Sequence, residues 1–254
     1  MDYSIISKNL TQNISKDVKK HNGIYFTPPD CVYKNIELLK PYMKNIKTIL
    51  EPSCGSGEYI LALNKLYPKI NITAIENNEQ IYNNIKEYET QKLIIKNIDY
   101  IAYKCKTKYD LIIGNPPYYV MKKKDINKKY YNYFDGRPNM FILFIIKSLD
   151  LLSENGILSF ILPTNFLNCL YYEKTRNFIN LNYQIIDIIK CDDKYIETQQ
   201  DTFILILKNQ SDINNEKYVL NISNNIIFGY SNIINKLQEL YINSTSLYNL
   251  GFKV

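Results

Sequence analysis

The chain has 254 residues, 46% of them hydrophobic and 22% charged, the balance of an ordinary globular protein and not of a disordered one. No apolar run reaches the ~18 residues that span a bilayer. The N-terminus lacks a charged-then-apolar leader, so a non-secreted protein in a bacterial or viral-factory cytoplasm is expected, with no membrane partner. The five cysteines form no CxxC pair and the single histidine is His21, so no metal site is expected. The net charge of +6 points toward nucleic acid, but Lys, Asn, Ile and Tyr all have A/T-rich codons, and part of the lysine excess is codon drift.

In chain order, residues 4–20 read as an amphipathic helix, 21–30 (HNGIYFTPPD) as an aromatic break, and 31–45 as a helix. KTILE (47–51) is a strand, PSCGSG a turn and 58–67 a helix. INITAIE (70–76) is a strand and 78–88 a helix. KLIIKN (92–97) and YDLIIG (109–114) are strands. Residues 115–138 are polar, aromatic and irregular, and 139–152 form an apolar helix. GILSFILP (156–163) is a strand apolar on both faces, followed by a helix near 165–178 and strands at 183–189 and 201–207. Beyond about 209 the rhythm is lost. Alternating strands and helices predict an α/β fold, a doubly wound and mostly parallel sheet with helices on both faces. In such a sheet the ligand lies beyond the carboxyl ends of the strands.

Glycine is scarce, 8 residues in the whole chain, so Gly55 and Gly57 in one turn are informative. Two glycines let backbone approach a ligand, and Glu76 ends the next strand at the distance that suits a carboxylate on ribose hydroxyls. No Gly-Lys-Ser/Thr follows, so the turn is not a P-loop. No third glycine follows either, which favours a nucleoside cofactor without pyrophosphate. In Asn115-Pro116-Pro117-Tyr118 two prolines stiffen the backbone and remove two donors. The Asn115 side-chain oxygen and the Pro116 carbonyl remain as acceptors beside an aromatic face, a cradle for a planar amine.

IYFTPP (24–29), ILEPSCGSG (49–57), AIE (74–76), GNPPY (114–118), NGILSFILPTNFL (155–167) and QDTFILIL (200–207) together resemble the γ-type DNA adenine-N6 methyltransferases of restriction–modification systems. The resemblance implies a Rossmann-like fold, S-adenosyl-L-methionine as cofactor and a flipped-out adenine in DNA as substrate. Methyl transfer would be a direct in-line displacement. Phe26, Thr27 and Pro28 would meet the methionine end of the cofactor. Glu51, Ser53, Cys54, Gly55 and Gly57 would line its path, Glu76 would hold its ribose, and Asp99 its adenine. Asn115 and Pro117 would share that site, with Phe144 read either as an aromatic near the cofactor adenine or as core. Asn115, Pro116 and Tyr118 would act on the target base, with Tyr195 as a second aromatic.

Lys122, Lys123, Lys124, Lys128, Lys129 and Arg137 interleave with aromatics over 119–138, which suits DNA backbone and unstacked bases; a solvated lysine-rich loop is the alternative. The expected division is a catalytic domain over 1–225, with 226–254 a tail or the start of a missing DNA-recognition domain, supplied otherwise by a separate subunit. RNA adenine-N6, cytosine-N4 and protein-glutamine methylation, and a non-catalytic methyltransferase-fold subunit, are the rival readings.

Overall fold

The computed structural model describes residues 2–191, 195, 200–222 and 225–242. Seven strands form one sheet: β1 (Thr48–Glu51), β2 (Asn71–Glu76), β3 (Leu93–Asn97), β4 (Tyr109–Gly114), β5 (Leu152–Pro163), β6 (Gln184–Cys191) and β7 (Thr202–Lys208). Their spatial order is β3-β2-β1-β4-β5-β7-β6. β1 to β5 pair in parallel, while β7 runs antiparallel to both neighbours. The chain leaves β1 toward one edge, then returns to place β4 on its other side. Loops following β1 and β4 therefore diverge, and a crevice opens between them.

Period-2 burial explains the layering. In β4, Leu111 and Ile113 face one core while Ile112 faces the other, and in β5 Ile157 and Ile161 oppose Leu158, Phe160 and Leu162. The first face is covered by α3 (Pro29–Leu39) and α4 (Glu58–Leu66), the second by α6 (Met140–Leu151) and α7 (Glu173–Asn182). α6 is apolar all round because it lies between the sheet and the 119–138 segment, a burial that an amphipathic helix would not tolerate.

The predicted first helix is two: α1 (Ile5–Asn13) and α2 (Lys16–Asn22), separated where Ser15 caps the second. α1 docks on the turn after β1, where Ser7 Oγ donates to Glu58 Oε1 and lies 2.7 Å from Ser56 Oγ. α5 (Glu79–Ile85) follows β2. The region past 209, without legible rhythm, holds a hairpin of β8 (Val219–Ile222) and β9 (Asn225–Phe228), then α8 (Ser231–Ile242). The expected boundary at 225/226 falls inside β9, whose Ile226 carbonyl accepts from the buried Arg176 of α7. The hairpin is thus packed on α7, and residues 243–254 of the expected tail lie outside the described residues. No helix among those described is long and apolar enough to cross a membrane.

Candidate active site

The turn Pro52–Gly57 leaves β1 at the crevice. Gly57, at φ +87, caps α4 in a conformation that a side chain resists. Cys54 N donates to Ile75 O, tying the turn to β2, and Gly55 N donates to Glu76 Oε2 at 2.9 Å. Asn78 N donates to Glu76 Oε1 at 2.8 Å. Glu76 is 8% exposed, and burial pushes its carboxyl up while the N–H groups of Asn78, Gly55 and Asn77 hold it down. It lines an open cleft between the two loops. Phe26, Ser53, Gly55, Glu76, Asp99, Asn115, Pro117 and Phe144 of the predicted set line this cleft. Asp99 is at its mouth, and the Phe144 ring sits 4.8 Å from that of Tyr100.

Five predicted cofactor residues do not line the cleft. Glu51, at the end of β1, and Cys54, within the turn, are buried, Gly57 faces Ile60 and Ile85, and Pro28 is the N-cap of α3. Thr27, expected at the cofactor, instead has its Oγ1 3.1 Å from Asn115 Nδ2. Their backbone or packing shapes the cleft without lining it. Glu51 Oε2 has no hydrogen-bond partner, and burial, then the Glu76 charge, raises its carboxyl well above the ordinary value.

Asn115 leaves β4 on the opposite side of the crevice. Its carbonyl accepts from Ser53 Oγ at 3.2 Å, linking the two diverging loops. Its side chain hydrogen-bonds Tyr118 and Tyr195, which with Tyr25, Gln200 and Thr202 line a second cavity; Asn115 itself lines only the cleft. Tyr118 Oη is 2.5 Å from Asn115 Oδ1, and Tyr195 Oη is 3.4 Å from Asn115 Nδ2. Pro116 is buried beneath and lines neither space. Gly23 sets the approach of the 24–29 segment: a Cβ there would come within 2.7 Å of Tyr118 N. Asn115 therefore lines the cleft and is tied by hydrogen bonds to two tyrosines of the aromatic chamber.

The 119–138 segment separates what the sequence interleaves. Ile126, Tyr130 and Phe134 are buried in the core around α6, while Lys122, Lys123, Lys124, Lys128, Lys129 and Arg137 are exposed. Lys123 lies over the Tyr131 ring and Lys129 over that of Tyr130. These aromatics are spent on packing, and the cations face solvent.

Sequence reasoning missed Tyr25, Tyr119, Asn77, Ile81 and Met140 as cavity walls. Tyr25 carried a signal, being two residues before Thr27 in the TPP segment. Met140 did not, because only the fold of 119–138 brings it to the cleft.

The sequence profile of the Eco57I restriction-modification methylase family matches residues 32–196, and the chain belongs to that family. The chain is 32% identical over 198 residues to the type II methyltransferase M.AccI of Acinetobacter calcoaceticus, covering 74% of this chain and 36% of that protein. It is 31% identical over 192 residues to the modification methylase CviBIII of Paramecium bursaria Chlorella virus NC1A, covering 73% and 50%. The chain thus spans half or less of these relatives' length. Its fold matches a structure described as a class I S-adenosylmethionine-dependent methyltransferase of Listeria monocytogenes, with TM-score 0.69 and 20% identity over 82% of this chain and 67% of that one. It also matches a chain of the DrdV–DNA complex, with TM-score 0.64 and 17% identity over 81% and 28%. A methylase of this family uses S-adenosylmethionine. The cleft fits it in kind: a buried carboxylate at a strand end, backbone glycine at the turn, and aromatic walls at Tyr100 and Phe144.

Proposed function

We propose that the chain is the catalytic part of a DNA adenine-N6 methyltransferase. The observation that carries this reading is that Asn115 lines the cleft while its side chain hydrogen-bonds two tyrosines of the second cavity. The cleft on one side suits a nucleoside cofactor, with Glu76 on its ribose and Asp99 near its base. The chamber on the other side is walled by three tyrosines and suits a planar base taken out of the duplex. The relatives named as modification methylases support DNA as the substrate.

S-adenosylmethionine supplies an electrophilic methyl group when bound. The residues supply position. Asn115 Oδ1 accepts one hydrogen of the target amine and the Pro116 carbonyl, buried while no base is seated, is the acceptor proposed for the other, which draws the amine's lone pair out of conjugation and directs it at the cleft. Tyr118 and Tyr195 hold the ring. The two acceptors strengthen their hydrogen bonds as positive charge builds on N6, so they stabilise the transition state more than the ground state. In a direct in-line displacement no side chain serves as nucleophile. The exposed lysines of 122–129 and Arg137 neutralise phosphates, and a recognition domain or subunit reads the sequence.

The test is transfer of a labelled methyl to duplex DNA, RNA and protein, with identification of the modified atom. Label on N6 of DNA adenine is expected, and label on cytosine N4 or glutamine would reassign the substrate. Asn115→Ala is expected to abolish transfer while keeping cofactor affinity within a few-fold.

A further inference from the structure

Lys147 belongs to the apolar helix α6 and is buried with it, 9% exposed. An ammonium group taken out of water is costly unless its hydrogens find partners. Lys147 Nζ donates to the Ile101 carbonyl at 2.9 Å and to the Tyr103 carbonyl at 2.6 Å, and it stands 4.9 Å from the centre of the Tyr100 ring. Two carbonyls and one aromatic face thus stand against its three hydrogens. Burial, then the Lys129 charge, pulls its pKa down, while Asp99, then Cys105, pushes it up.

All three partners lie in the turn that follows β3. There Tyr103 N donates to Asp99 O at 2.9 Å and to Tyr100 O at 3.1 Å, and Ile101 N donates to Asp99 Oδ1 at 2.8 Å. One oxygen of the Asp99 carboxylate is tied to its own turn, and the other is left to the cleft that Asp99 lines. Ser148 Oγ lies 2.8 Å from Tyr100 Oη, and the Phe144 ring packs on that of Tyr100. Phe144, Lys147 and Ser148 are one helical turn apart, so a single face of α6 grips this turn. An apolar side chain would meet the needs of packing alone. What the ammonium adds is a fixed position for two carbonyls.

We infer that Lys147 is a positioning residue for the base of the cofactor: by holding the Ile101 and Tyr103 carbonyls, it sets the 99–103 turn so that the Asp99 carboxylate meets the exocyclic amine of adenine. This rests on the reading that the cleft holds the cofactor with its base at Asp99. Lys147 does not line the cleft, so it acts through the turn.

The test is calorimetric and needs no turnover. S-adenosylhomocysteine carries the amine, whereas S-inosylhomocysteine carries a carbonyl oxygen in its place, which a carboxylate repels. Wild-type chain is expected to bind the adenosyl compound at least about tenfold tighter, the factor set by one charge-assisted hydrogen bond. Lys147→Met keeps the bulk and deletes the donors. It is expected to bring that ratio close to one, mainly by weakening the adenosyl compound. Asp99→Ala is expected to lose the same factor, and the double variant no more than either single one.

A wild-type ratio kept in Lys147→Met, or an equal loss for both ligands, would make the lysine merely structural and overturn the proposal. Additive losses in the double variant would overturn it too. Ligand-free Lys147→Met is expected to melt cooperatively near or above the wild-type midpoint, because a buried charge is gone. A variant that does not fold would place Lys147 in the fold and not in the site, which also overturns it. Wild-type chain that binds both ligands equally would remove Asp99 from the adenine, and the proposal with it. Wild-type chain that binds neither would sink the cofactor site itself, and both results would be seen before any variant is made.

Discussion

Glu51 and Glu76 end neighbouring parallel strands, and the charge of Glu76 adds to burial in raising the Glu51 carboxyl. Glu76 has backbone N–H partners; Glu51 Oε2 has none. The pair shows how the site is built: one carboxylate is held ready at the cleft wall while the other is buried behind it.

A pH dependence of stability follows. The folded Glu51 carboxyl titrates above the ordinary value of 4.5, so between these values the folded state binds more protons than the unfolded state. Its contribution is fully present below the ordinary value and is lost as pH rises through the raised one. Glu51→Gln is expected to raise the thermal midpoint at pH 7–8 and leave it nearly unchanged at pH 4. Melting curves across that range, without cofactor, check this. A midpoint that falls at pH 8 would show that the ionised carboxylate is stabilised.

Glu76→Ala is expected to weaken S-adenosylmethionine binding by about 2–4 kcal/mol, the size of one to two charge-assisted hydrogen bonds. Part of the loss arises because Gly55 N and Asn78 N lose their acceptor and the turn loosens. Calorimetry on the two proteins measures it, and equal affinities would remove Glu76 from the site.

The exposed lysines are expected to bind duplex DNA without reading it. Binding by the isolated chain should lie in the non-specific range of ~10⁻⁴–10⁻⁶ M at physiological salt and differ little between unrelated sequences. Replacing Lys128 and Lys129 by Ala should weaken it uniformly and lower the salt slope by roughly 0.9 for each phosphate contact removed. Fluorescence anisotropy titrations over a salt series give the slope. Tight, salt-resistant binding to one short sequence would show base reading within this chain.

Arg176 is 2% exposed and donates to the carbonyls of Phe166, Cys169 and Ile226. Arg176→Leu leaves three acceptors without a donor and is expected to cost roughly 2–4 kcal/mol. It should also free the β8–β9 hairpin from α7. Denaturant unfolding reports the first effect, and faster protease cleavage beyond residue 209 the second. An unchanged cleavage pattern would mean that the hairpin is held by its apolar contacts alone.

The order of strands up to residue 207, the glycine turn after β1 and the place of Glu76 and Asn-Pro-Pro-Tyr at strand ends were legible in the sequence. Each is a local signal: period-2 or period-3.6 burial, a scarce glycine at a strand end, or paired prolines that stiffen one tetrapeptide. The first predicted helix proved to be two, and the helix expected near 165–178 begins at Glu173. Tertiary structure decided what depends on contacts between distant segments. No local pattern distinguishes a tyrosine that faces a base from one that fills a core, so Tyr130 and Phe134 were legible as aromatics but not as packing for α6. The β8–β9 hairpin was illegible because its strands are short and the residues it packs on, Arg176 of α7 among them, are distant in the sequence. Thr27 read as a cofactor contact from its motif. It is turned toward Asn115, 88 positions away, because Gly23 lets the 24–29 segment press against Tyr118 and so brings one hydroxyl within reach of one amide.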